Sequence, residues 1–194
     1  YDLIEYLDKT IQQSSQTEKI EIINFLTQKA IKQEDGYVIA LAVLEKHCND
    51  DCLELIFEKA KQIDMSDQKI IYYLNVIGKR GTEKHKQILT DFLLNDDLNE
   101  NHSFVHWSVY PNFPDLFANA YSKYLVETDY KQWSGSAIVQ DFMTHPKALG
   151  LVKQFLETND KNVWQNLKKD LQQELTKDLW DKTNKIEIET LICS

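Results

Sequence analysis

Apolar residues along this chain recur at three- and four-residue spacing in successive short blocks, the period that puts them on one face of an α-helix. Leu3, Tyr6, Leu7 and Ile11 form the first stripe and predict a helix over residues 2–13. Ser14, Ser15 and Thr17 interrupt it, and Thr17 is the expected N-cap of a second helix carrying Ile20, Ile23, Leu26 and Ala30. Asp35 and Gly36 break that run near its end. Residues 37–47 are apolar on nearly every side (Val38, Ile39, Leu41, Ala42, Val43, Leu44), the mark of a helix covered by several neighbours. A fourth helix turns Leu53, Ile56, Phe57 and Ala60 inward and is capped by Asn49 or Asp50, with Asp50 the first choice. Ser66 is the expected cap of a fifth (Ile70, Ile71, Leu74, Ile77), which Gly78 and Gly81 end. Thr82 opens a sixth with His85, Ile88, Leu89 and Phe92 on its stripe.

From Asn95 to Gly135 the rhythm breaks. Asp96, Asp97, Glu100, His102, His106, Trp107, Tyr110, Pro111, Phe113 and Pro114 follow one another in a stretch that reads as a long connection, and such loops are uncommon in a compact domain unless they carry function. Pro114 suits the first turn of a seventh helix bearing Leu116, Phe117, Ala120, Tyr121, Tyr124 and Leu125. After a turn at Trp133, Ser134 or Ser136 caps a short eighth helix (Ile138, Val139, Phe142), which His145 and Pro146 end as they begin a ninth (Ala148, Leu149, Val152, Phe155, Leu156). Asp160 opens the tenth, expected to be the longest, with Trp164, Leu167, Leu171, Leu175 and Leu179 in line. The tail, residues 185–194, alternates with period two over Ile186–Glu189. That is a strand pattern, expected to fray, to fold over the last helix or to add to a partner's sheet edge.

These blocks predict an all-α protein of about ten helices in antiparallel pairs, as one domain over residues 1–184 with a short tail over 185–194. Only 3 prolines and 5 glycines occur in 194 residues, which favours uninterrupted helices over the frequent turns of an all-β chain. Helix starts near residues 2, 17, 35, 50, 66 and 82 make each antiparallel pair roughly thirty residues long. Over residues 2–94 that rhythm resembles HEAT-like α-solenoid repeats, which implies stacked helix pairs sharing a continuous core. An irregular helical bundle with short connections has a similar rhythm.

Charge narrows the partners. Lys and Arg number 22 against 31 Asp and Glu, and the net charge of −9 repels nucleic-acid phosphate and anionic lipid while attracting a basic protein. Arg80 is the sole arginine, so bidentate phosphate clamps are scarce. No apolar run approaches the roughly 18–20 residues that span a bilayer, and no charged start followed by an apolar segment marks a signal peptide. A chain that begins at Tyr1 without Met reads as a trimmed or truncated piece. An odd number of cysteines (Cys48, Cys52, Cys193) in a chain of this size is the usage of a reducing, cytoplasmic compartment. Cys48, Cys52 and the adjacent His47 invite a zinc reading, but no second Cys/His pair stands at finger-like spacing. Two partly buried thiols at a helix end are expected instead.

Candidate chemistry is thin. His102 and His106, with Asp96 or Asp97, would reach one metal on a helix, yet Ser103 stands where a HExxH motif has Glu and the surrounding Asn, Ser and Pro argue for loop; no metal or cofactor is expected. Ser134 and Ser136 flank Gly135 without the preceding strand that a nucleophile elbow needs. Neither GxGxxG nor GxxxxGK[ST] occurs. Asp50/Asp51 and Asp96/Asp97 diverge by about 100° on a helix and share no proton. What remains is an acidic and aromatic surface, Asp96, Asp97 and Glu100 beside Trp107, Tyr110, Phe113 and Trp133, as the candidate partner-binding site. The alternative is that these rings pack over the end of the core. In its acidity, scarce arginine and helical content the chain resembles immunity proteins that neutralise nuclease or other toxins in interbacterial competition, contact-dependent growth inhibition included. That resemblance implies a non-enzymatic cytoplasmic protein whose acidic residues cover the basic active site of a toxin in a 1:1 complex. A HEAT-like scaffold or adaptor segment is the second reading, and a helical hydrolase or metal enzyme the third.

Overall fold

Helices account for most of the described residues in the computed structural model, which describes residues 2–95, 102–127 and 135–194. The fold is all-α, with twelve α-helices among the described residues. In chain order they are α1 (Asp2–Gln13), α2 (Gln16–Lys32), α3 (Tyr37–His47), α4 (Asp50–Ala60), α5 (Ile70–Arg80), α6 (Lys86–Leu93, led in by a 3₁₀ turn at Glu83–His85), α7 (His102–Val109), α8 (Pro114–Glu127), α9 (Gly135–Thr144), α10 (Pro146–Asn159), α11 (Lys161–Leu175) and α12 (Lys182–Cys193). They group into two compact units, Tyr1–Phe113 and Pro114–Ser194.

Local chemistry fixes the boundaries, in places one or two residues from the expected ones. Ser15, not Thr17, caps α2: its hydroxyl accepts from Glu18 N and the Glu18 carboxylate accepts from Ser15 N at 2.8 Å, a reciprocal capping box. Asn49, not Asp50, caps α4, its Oδ1 accepting from Cys52 N at 2.9 Å. Ser66 caps nothing and donates to Asp64 at 2.6 Å, so α5 starts at Ile70 without a side-chain cap. Pro114, Pro146 and Asp160 open helices as expected, the Asp160 carboxylate accepting from Asn162 N and Val163 N.

In the first unit, α5 has Ile70, Ile71, Tyr73, Leu74, Val76, Ile77 and Gly78 all buried, and α3, α4 and α7 cover it. Consecutive helices pack together, α2 on α3 and α4 on α5, and next-but-one helices do so as well: α1 meets α3, α3 meets α5, α5 meets α7, and α2 meets α4. The α5–α7 contact is close because Gly78 has no side chain. A Cβ built there would stand 2.7 Å from Ser108 Oγ and 3.0 Å from the Ser108 carbonyl carbon. Asn112 Nδ2 donates to Gly78 O at 3.1 Å beside the same contact. His85, expected on a helical stripe, lies buried in the 3₁₀ turn, where Thr82 N donates to its Nδ1 at 3.0 Å.

In the second unit, α10 is the hub, touching α8, α9, α11 and α12. Phe117 and Tyr121 stack at 5.1 Å, and Tyr121 meets Phe142 edge-on at 5.5 Å. The eleventh helix stops at Leu175, so Leu179, expected to extend its stripe, is 79% exposed. The expected strand in the tail is helix. Residues 182–193 form α12 because Asp181 caps it, Ile188 and Ile192 lie one turn apart and are buried, and its C-terminal end is held by a lysine. Lys153, 8% exposed, donates to Leu191 O at 2.8 Å and to Ser194 Oγ at 2.7 Å and stands over the Trp164 ring at 5.7 Å.

In an exposed helix Gly→Ala gains about 1 kcal/mol, but Gly78→Ala is expected to lose about 1–3 kcal/mol by wedging α5 from α7, measured by urea denaturation. Lys153→Met keeps the stem and removes the donor. Amide exchange over residues 188–193 is expected to accelerate as α12 frays, with a stability loss of about 1–3 kcal/mol.

Candidate functional site

Of the seven residues expected to form the partner-binding surface, Asp96, Asp97, Glu100 and Trp133 lie outside the described residues. The other three divide. Trp107 and Tyr110 are half-buried at the end of α7, their rings edge-to-face at 6.0 Å. Phe113 is 4% exposed, so its ring fills the interior and offers no contact face. The loop expected around the two histidines is helix α7, which buries Val105, His106 and Val109; the apolar Val105–Val109 pair, one turn apart, supplies the inward face that the prolines further on had masked. Among the described residues no group of three His, Cys, Asp or Glu side chains could hold a metal ion. Nor, among them, is any helix long and apolar enough to cross a membrane.

A second surface takes shape in the first unit from residues read in the sequence as core or not read at all. Helix α2 carries apolar residues on two faces. Ile23, Leu26 and Ala30 turn into the core, while Ile22 and Phe25 turn toward Leu3 and Leu7 of α1 and Ile39 and Ala40 of α3. The result is an open groove of about 540 Å³ with almost wholly apolar walls. Its prominent side chains are uncovered, with Phe25 63% and Leu3 52% exposed, and Tyr6 of α1 is exposed as well. Glu21 and Asp35 stand at its edge, and the Lys29 ammonium is engaged by the Asp35 carbonyl at 2.7 Å. Gly36, with a left-handed φ of 82°, turns the chain there into α3. The signal for this face was present as Ile22, Phe25 and Leu26, a second set at three- and four-residue spacing beside the core stripe.

Charges of the other sign gather at the opposite ends of the same helices. Asp8 of α1 accepts from Lys46 Nζ at 2.9 Å and from His47 Nε2 at 2.5 Å. Lys46 first, and then His47, hold the Asp8 carboxyl down from 3.8 to about 2. Arg80, at the end of α5, donates through Nε (3.2 Å) and Nη2 (3.0 Å) to the Cys48 carbonyl. Cys48 and Cys52 are not separate thiols. They form a disulfide with Cα atoms 5.5 Å apart, possible because the chain breaks its helix between them and folds the end of α3 onto the first turn of α4. Cys193 is left as a free, exposed thiol.

A carboxyl depressed on folding adds stability that is complete above its unfolded value and disappears as pH falls through its folded one. The stability difference between the unsubstituted chain and Asp8→Asn is therefore expected to shrink as pH falls from about 4 to about 2, read from urea titrations at stepped pH. A difference that does not change across that window would remove the ion-pair cluster as a source of stability.

Comparison of the chain with protein-family models, with curated proteins and with solved structures finds no match.

Proposed function

We propose that this chain is a non-catalytic protein-binding module whose partner is a basic protein, and that its role is that of an immunity protein neutralising a cognate toxin in interbacterial competition. The observation that carries the reading is the groove of α1, α2 and α3. It offers contiguous uncovered apolar side chains (Leu3, Phe25), with Glu21 and Asp35 at the edge, on a chain of net charge −9. Apolar anchors give an interface its lifetime, and surrounding acidic groups raise the rate at which a basic partner arrives. An amphipathic helix with basic flanks fits such a groove, its apolar side laid along α1 and α2 and its cations against the two carboxylates. Trp107 and Tyr110 supply a second half-exposed ring pair, adjoining in sequence the acidic stretch at Asp96, Asp97 and Glu100. A HEAT-like scaffold or adaptor segment is the second reading, supported by the next-but-one stacking of α1, α3, α5 and α7. A cytoplasmic station belongs to the immunity reading and requires the Cys48–Cys52 bridge to be open there, which thiol alkylation and intact mass on freshly lysed cells would register.

The test is a complex with the product of the adjacent reading frame. A 1:1 assembly is expected, Phe25→Asp and Leu3→Asp each weakening it about tenfold or more and added salt slowing its association. No complex with that product overturns the immunity reading. A complex that both substitutions leave intact moves the interface off the groove; charge reversal at Asp96, Asp97 and Glu100, with Trp107→Ala, then tests the other surface. There, slower association from the reversals and faster dissociation from the alanine are expected.

A further inference from the structure

The ends of α1, α2, α3 and α5 enclose a cleft of about 310 Å³ whose lining runs against the composition of the chain. Acidic residues outnumber basic ones 31 to 22 overall, yet this lining includes Lys19, Lys46, His47 and Arg80, the sole arginine, and no carboxylate. Asp8 stands behind the cations and holds Lys46 and His47 in place. The Cys48 carbonyl fixes the guanidinium of Arg80 in the same manner. Three of the four groups are thus positioned in advance. The ammonium of Lys19, partly exposed on α2, engages no carboxylate or carbonyl among the described residues and is available to a ligand. One wall is apolar, with Ile11 and the partly exposed Ile20, and side-chain amides such as that of Gln16 complete the lining.

We infer that this cleft binds a small organic phosphate monoester, the phosphate among Lys19, Lys46 and Arg80 and the organic part against Ile20. Lys19, Lys46 and Arg80 bring three permanent positive charges to the lining, while the carboxylates that act on Lys46 (Asp8, and more weakly Glu45 and Glu5) stand outside it, an arrangement that suits a dianion better than a carboxylate. The volume sits at the low end of the roughly 300–1,000 Å³ range of small-molecule sites, so the ligand is small. The net charge of −9 argues against a polyanion such as nucleic acid. This inference is independent of the protein-binding reading and concerns a different face of the same unit.

Titration of the purified chain with phenyl phosphate, inorganic phosphate and benzoate, followed by calorimetry and by backbone amide shifts, tests it. Phenyl phosphate is expected to bind 1:1, about fivefold or more tighter than either other probe, with shifts at Lys19, His47 and Arg80. Lys19→Glu is expected to weaken it about tenfold while leaving the thermal midpoint unchanged. Lys46→Gln is a second variant; because it also strips Asp8 of a partner, Lys19→Glu decides if Lys46→Gln does not fold. Absence of saturable binding, shifts confined to other residues, or undiminished affinity in Lys19→Glu would overturn the site. Benzoate binding as tightly as phenyl phosphate would overturn the phosphate, and inorganic phosphate doing so would overturn the organic part.

Discussion

The burial of α5 on all but one side is the constraint on which the first unit depends. A helix with Ile70, Ile71, Tyr73, Leu74, Val76 and Ile77 buried and only the Tyr72, Asn75 and Lys79 face open is stable in water only if neighbours cover the rest, and α3, α4 and α7 do so. Two polar details let them approach. Tyr73, wholly buried, donates its hydroxyl to Ala30 O at the end of α2 at 2.7 Å, so a large side chain enters the core without an orphaned polar group. Gly78 removes the one side chain that would hold α7 away. With α3 committed to α5 on one side and to α2 on another, the far face of α2 and the side of α1 facing it have no cover among the described residues, and that uncovered face is the groove.

Electrostatics divide the same helices into two regions of opposite character. At the α2–α3 turn the Glu21 and Asp35 carboxylates outnumber the one ammonium, Lys29, and set the local sign. At the other end Asp8 is ringed by Lys46 and His47, and the positive charge that remains on Lys19, Lys46 and Arg80 sets the opposite sign. Because ionic solution screens charge beyond about 10 Å, each region's own charges weigh more than the net charge of the chain on what touches it. The Cys48–Cys52 bridge lies under the cationic end, tying the carbonyl that holds Arg80 to the first turn of α4.

The second unit settles a different problem, how to fasten a short last helix. Its apolar surface toward the rest is small, chiefly Ile188 and Ile192, so polar contacts share the work. Asp181 accepts from two free N–H groups at its start, and Lys153 of α10 donates to the Leu191 carbonyl near its end. Burying an ammonium costs desolvation, here offset by two oxygen acceptors, the face of Trp164 and the Glu157 carboxylate at 3.7 Å.

How much of this the chain declared in advance follows from the range over which each signal acts. Helix formation depends on residues three and four apart, so the stripes of Leu74, Phe142 or Leu156, and the starts at Pro114, Pro146 and Asp160, were legible without a structure. Signals that satisfy two periods were not. Ile186, Ile188, Ile192 and their neighbours alternate like a strand and also repeat like a helix, and only the presence of α10 and α11 to pack against chose the helix. The candidate site was legible as residue types, aromatic and acidic, but not as exposure, because whether Phe113 sinks while Trp107 stays half-covered is decided by side chains distant in sequence. The same holds for the disulfide, the groove and the cationic cleft. The sequence by itself determined which segments are helical and which residues are greasy or charged; tertiary structure alone decided which of those faces found a neighbour, since covering a surface takes a partner that no local period specifies.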